Sequence, residues 1–161
     1  MSEQLHAQTE AEGAVSQWVT FTLDDETYGI GVMQVQEVLP LSEIAPVPGA
    51  PPYVLGIINL RGNVVTVIDT RMRFGLRPKE PEDSDRIVVM EAGNQVAGIL
   101  VDSVAEVTYV RDGEIDTAPN VGNDDASHYI YGVVSRDDDL LILVDVNRLL
   151  SADEWEEVAE L

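Results

Sequence analysis

The hydrophobic pattern begins at Trp18-Val19-Thr20-Phe21-Thr22-Leu23, where β-branched and aromatic residues recur at period two. Asp24-Asp25-Glu26 interrupts it, and Tyr28-Gly29-Ile30-Gly31-Val32 resumes it. This predicts a hairpin with a short acidic turn. Met33-Gln34-Val35-Gln36-Glu37-Val38 predicts a short turn followed by a strand. Pro46, Pro48, Pro51 and Pro52 then exclude a long helix and predict an extended connection. In the stretch from Gly56 to Asp69, two nearly all-apolar β-branched runs flank Arg61-Gly62-Asn63, residues that tolerate positive φ. A second hairpin is expected there, with strands buried on both faces. Residues 70–74 offer one or two helical turns stopped by Gly75, and the charged, proline-containing residues 78–85 read as a linker. Residues 1–17 are polar and aperiodic, which predicts a flexible arm.

From Arg86 the pattern starts again. Tyr28 to Val38 aligns with Ala97 to Val107 at a constant offset of 69, with six identities in eleven positions. Gly56, Ile57, Ile58 and Val64 to Asp69 align at an offset of 76 with Gly132, Val133, Val134 and Leu140 to Asp145. Two segments in the same order at nearly equal offsets indicate a duplicated β unit, with copies at about residues 18–75 and 86–150. Short strands of this kind close as small barrels, which removes exposed edges. The expected fold is therefore mainly β: two packed small barrels with short helical turns and a groove between them. Asp69 and Asp145 are placed to cap the helical turns that follow them. Ser151-Ala152-Asp153-Glu154 has capping-box spacing and opens a terminal helix over residues 151–161, with Trp155, Val158 and Ala159 on one face.

Composition narrows the function. Of 161 residues, 45% are hydrophobic, enough for a proper core, and 30 acidic side chains against 9 basic ones give a net charge of −21. Such a surface opposes nucleic acid and anionic membranes. With Lys79 as the single lysine, it resembles the surfaces of proteins from salt-loving archaea, where a Debye length of roughly 3 Å screens self-repulsion. Cysteine is absent, and the longest apolar runs fall far short of the roughly 20 residues of a membrane helix. No signal pattern opens the chain, so a cytoplasmic protein is expected. Histidine occurs only at His6 and His128, too little for a relay or a His-rich metal site. Asp137-Asp138-Asp139 lacks the alternating ligands and glycine bend of a calcium loop and reads as a solvated turn. A duplicated acidic hydrolase built on Asp69 and Asp145 is opposed by Arg71, which stands where an Asp-Thr-Gly turn needs glycine. The residues point to a binding module without catalysis or cofactor.

Asn59-Leu60-Arg61-Gly62, in the context of Tyr28-Gly29-Ile30, Val35-Gln36-Glu37-Val38, Val96 to Asp102 and Leu140 to Leu150, resembles the CheW-like family of chemotaxis adaptors. The likeness covers about residues 18–150. It implies two five-stranded SH3-like barrels and a non-catalytic adaptor that couples the cytoplasmic tips of methyl-accepting chemotaxis receptors to the regulatory domain of the histidine kinase CheA. It also implies recruitment to membrane-associated receptor arrays without membrane insertion. By motif position, the receptor-facing residues would be Val32, Val35, Glu37, Gly56, Arg61, Gly98, Val104 and Val107; the kinase contact is assigned to no residue. Val35 and Val104 would give the groove apolar walls, with Glu37 holding Arg61 in a charge-assisted pair. Glu106 repeats Glu37, but Arg61 falls opposite Asp137, so the second hairpin tip is expected to lack the cation. An adaptor of another receptor and kinase pathway, serving pilus motility or gene regulation, fits the same residues.

Overall fold

The computed structural model describes residues 14–117 and 129–161. Their strands are β1 Val15–Leu23, β2 Glu26–Gly31, β3 Val35–Pro40, β4 Val54–Leu60, β5 Asn63–Ile68, β6 Arg86–Ala92, β7 Gln95–Val101, β8 Ser103–Arg111, β9 Ile115–Asp116, β10 Ile130–Arg136 and β11 Asp139–Val144. They form two sheets, in the orders β8-β1-β2-β11-β10-β9 and β3-β6-β7-β5-β4. Each sheet curls into an SH3-like barrel. The two-residue β9 brings the first sheet to six strands.

The barrels are not the two sequence copies. Strands β3 to β7 make a middle barrel from one continuous stretch, whereas the outer barrel combines β1 and β2 with β8 to β11. The expectation that residues 18–75 and 86–150 each close a barrel is corrected accordingly: each barrel takes its opening hairpin from the other copy. Parallel pairs make the joins. Tyr28 lies opposite Ile142 in the outer barrel, and Ala97 opposite Thr66 in the middle one, which are equivalent pairs under the repeat. Hydrophobic periodicity identifies a strand but carries no information about a neighbour from a distant part of the chain.

Period-two alternation sorts side chains between barrel interior and seam. In β6, Ile87 and Val89 point into the middle barrel, while Val88 and Met90 join the seam cluster with Phe21, Tyr28, Ile99 and Val144. Trp18, Val110, Val134, Leu141 and Leu143 fill the outer barrel. The seam holds more buried residues than the two interiors together, and each large one contributes roughly 1.5–3 kcal/mol. The barrels therefore share one core and are not separable modules. An aromatic stack from Phe21 through Tyr28 and Phe74 to Tyr129 runs along this seam.

Strand β1 begins at Val15, so the last residues of the expected flexible arm are ordered against β8, and residues 1–13 lie outside the described residues. Helix α1, Thr70–Arg73, is capped by Asp69, which accepts from the Met72 N–H at 3.1 Å. Asp145 accepts from Asn147 at the equivalent 3-10 turn Val146–Arg148. Helix α2, Ala152–Ala159, opens with both bonds of the Ser151–Glu154 capping box. Glu154 also receives two bonds from Arg73 at 3.0 and 2.8 Å, which fasten α2 to α1.

Candidate functional site

Turn chemistry builds the tip of the middle barrel. Arg61 and Gly62 have φ of 51° and 88°, the paired positive values of a two-residue hairpin loop, and the Gly62 N–H donates to Asn59 Oδ1 at 2.8 Å. Asp137 has φ of 52° at the equivalent position, so the left-handed backbone belongs to the duplicated scaffold. From this turn the Arg61 guanidinium reaches β3 and binds Glu37 through both carboxylate oxygens, with Nη1 to Oε1 at 3.2 Å. The bond to Glu37 raises the Arg61 pKa further above its ordinary value, so the site is permanently cationic. Because the Arg61 side chain is 69% exposed, the pair adds little to stability. Its effect is to hold a guanidinium in one place, facing solvent.

The remaining expected site residues divide by burial. Val35 opens β3 and Val104 lies in β8, and both pack against the seam cluster from opposite barrels. Val32 starts the 3-10 turn Val32–Gln34, where the chain crosses from the outer barrel to the middle one. Val107 pairs with Val19 and stays 42% exposed. Val38, its repeat partner, is 39% exposed on the corresponding edge strand and belongs with this group. The signal for it was the repeat itself, which places Val38 opposite Val107.

The two expected glycines are buried. A Cβ on Gly56 would stand 2.5 Å from the Ala45 carbonyl oxygen, because the proline-rich connection crosses β4 there and pairs Ala45 with Ile57. A Cβ on Gly98 would stand 3.0 Å from Ile87 inside the middle barrel. Both are packed beneath neighbouring segments. Gly132 repeats Gly56: a Cβ there would stand 2.6 Å from the Ile115 γ-methyl, where β9 pairs with β10.

The second tip has not lost its cation. Arg136, one residue before Asp137, donates to Thr108 Oγ1 at 2.7 Å, to the Tyr109 carbonyl and to Glu114. A shift of one residue moves a side chain to the other face of a strand, so this guanidinium turns onto β8 and leaves the tip acidic. A backbone N–H from Arg111 and the Arg136 guanidinium hold the Glu114 pKa below the usual carboxylate range. A cleft of about 480 Å³ lies beside this tip, lined by Thr20, Thr27, Glu106, Val107, Arg136 and Leu140.

At the second crossover, from β7 to β8, Asp102 accepts from Arg71 at 2.7 Å and from the Asp24 N–H at 2.9 Å, with Lys79 Nζ 3.7 Å away. Burial would raise its pKa, but the Arg71 hydrogen bond and the other two partners bring it below the ordinary value. Among the described residues, no group of three or more His, Asp or Glu is placed to hold a metal ion. Asp69 and Asp145 are occupied as helix caps. His6 and His128 lie outside the described residues. No helix among the described residues is long and apolar enough to cross a membrane.

Residues 17–154 match the CheW-like domain family. The chain is 35% identical over 149 residues to the chemotaxis protein CheW of Treponema pallidum, covering 90% of this chain and 88% of that one. It is 34% identical over 132 residues to CheW of Bacillus subtilis, covering 82% and 85% respectively. The crystal structure of the scaffolding protein TtCheW from Thermoanaerobacter tengcongensis superposes with a TM-score of 0.78 at 32% identity, over 86% of this chain and 94% of that one.

Proposed function

This chain belongs to the CheW-like domain family, and we propose on that premise that it is a non-catalytic chemotaxis adaptor coupling chemoreceptors to the histidine kinase CheA. The receptor's helical tip lies along the seam, against Val32, Val35, Val104 and Val107, with Arg61 orienting it and Glu37 fixing Arg61. The kinase partner is its regulatory domain, and the adaptor works at membrane-associated receptor arrays without entering the bilayer. An apolar helix face set against such a strip gains roughly 25 cal/mol for each Å² buried.

The observation that carries this reading is the contrast between the tips. Arg61 is clamped by Glu37 yet exposed, while its counterpart Arg136 is consumed by β8. A cation kept in one orientation and left facing water fits recognition better than folding. The test is co-purification of the chain with a CheA-type kinase and receptor fragments in molar salt, followed by a kinase assay. Wild type should form the ternary complex and change kinase activity, and Arg61→Glu should lose receptor binding while remaining folded. Equal binding by Arg61→Glu overturns the assignment. Recovery of a different kinase and receptor pair would place the same adaptor in a pathway such as pilus motility or gene regulation.

A further inference from the structure

The repeat sets an expectation for each surface position, and Met33 departs from it by the widest margin. Met33 is the middle residue of the 3-10 turn at the first crossover, and its 93% exposure exceeds that of the other exposed large apolar side chains described. Its repeat partner at an offset of 69 is Asp102, which is drawn into contacts with Arg71, Lys79 and Asp24. The fold therefore does not require an apolar residue at a crossover; one copy carries a latched carboxylate there. In a turn of three residues, Val32 and Val35 fall on the same side, and Val35 packs on the seam. Met33 lies about a third of a turn further round, at the solvent edge of the side that Val32 and Val35 share. The turn is closed by the Val35 N–H, which donates to the Val32 carbonyl, and the Gln34 side chain lies over Gly31, where an added Cβ would come within 2.6 Å of Gln34 Oε1.

A lone exposed apolar residue is ordinary on a soluble protein. Met33 is not alone, since Val32 and Val35 are half-buried beside it and Val38 is exposed further along the same edge strand. This is an apolar strip on a chain of net charge −21, and it runs directly into the residues proposed to meet the receptor. We infer that Met33 is an anchor of that docking surface, seated against the apolar face of the receptor's α-helix at the first crossover. The inference rests on the receptor reading above. An unbranched thioether conforms readily to the side chains of a docked helix.

The thioether supplies the measurement. Dilute hydrogen peroxide transfers one oxygen to the methionine sulfur and leaves as water, and the sulfoxide is read by mass spectrometry. In the free chain Met33 should oxidise faster than Met72, which is 49% exposed, and far faster than the buried Met90. A soluble fragment of the receptor's cytoplasmic helical hairpin should slow Met33 oxidation severalfold and leave Met72 unchanged. Met33→Asp should weaken binding of that fragment on the order of tenfold or more, and Met33→Leu should retain it. If Arg61→Glu weakens binding but Met33 stays equally reactive in the complex and Met33→Asp binds as wild type does, this inference is overturned and the receptor reading stands. If neither variant changes binding, both fall. Protection of Met33 by a kinase regulatory fragment alone, or by raising the concentration of the chain alone, also overturns it.

Discussion

The two barrels follow one plan and finish it differently. Each has a hairpin tip with a left-handed residue, an arginine at that tip, a glycine under a crossing segment, and an edge strand continuing from a crossover. In the middle barrel the arginine sits on the left-handed residue itself and meets Glu37 in the open. In the outer barrel it sits one residue earlier and is spent on Thr108, Tyr109 and Glu114. A guanidinium thus serves structure in one barrel and, paired with Glu37, faces solvent in the other. A repeat shows what folding needs twice, and whatever occurs only once is available for another use.

The widest gap between the barrels is expected at the crossing segments. Gly56→Ala forces a methyl group against backbone, the Ala45 carbonyl oxygen, and should cost about 3 kcal/mol in urea unfolding. Gly132→Ala meets the Ile115 γ-methyl first, with the Asp116 carbonyl oxygen behind it at 3.2 Å, and should cost less, about 2 kcal/mol. Equal costs would mean the two crossings are equally rigid. Next, Arg136→Ala strands a network of charge-assisted bonds and should lower stability by about 1.5 kcal/mol, whereas Arg61→Ala should leave the urea midpoint near wild type. A reversal of that order would break the division of roles. For binding the order inverts: Arg61→Glu should weaken receptor-fragment affinity roughly tenfold, and Arg136→Ala should leave it near wild type, by titration calorimetry.

The smallest effect concerns acid. Glu114 has a folded pKa below its unfolded value, so its contribution is present above about pH 4.3, the ordinary glutamate value, and fades as pH falls through the lowered folded one. Thermal unfolding between pH 5 and pH 3 should therefore show a slightly shallower loss of stability for Glu114→Gln than for wild type. An identical slope would remove Glu114 from the outer tip's bonding.

Much of this was legible in the chain. The hairpins, the Asp69 and Asp145 caps, the Ser151–Glu154 box and the duplication all follow from local periodicity and turn residues, which act over a few positions. The Glu37–Arg61 bond was expected from the family resemblance, which sets both residues among the receptor-facing positions. Three things were not legible. Hairpin exchange between copies depends on the parallel pairs Tyr28–Ile142 and Ala97–Thr66, which no local pattern encodes. Arg136 was missed because aligning Arg61 with Asp137 treats a one-residue shift as a loss, although a strand turns that shift into a change of face. Gly56 and Gly98 look like surface recognition positions in a motif, but their missing side chains make room for neighbouring backbone and packing.

Because β3 to β7 are contiguous and the outer barrel is assembled from both ends of the chain, the two cannot form in the same order during synthesis. The middle barrel has all its strands once Val101 is made. The first hairpin, though earliest to emerge, must wait for β8 and β11. Pairing Phe21 with Val104 would mean closing a long, costly loop in an unstructured chain, but a finished middle barrel replaces most of that loop with folded structure. The oldest strands on the ribosome are then the last to be satisfied, and β1 and β2 are the segment most in need of protection from aggregation until the chain is complete.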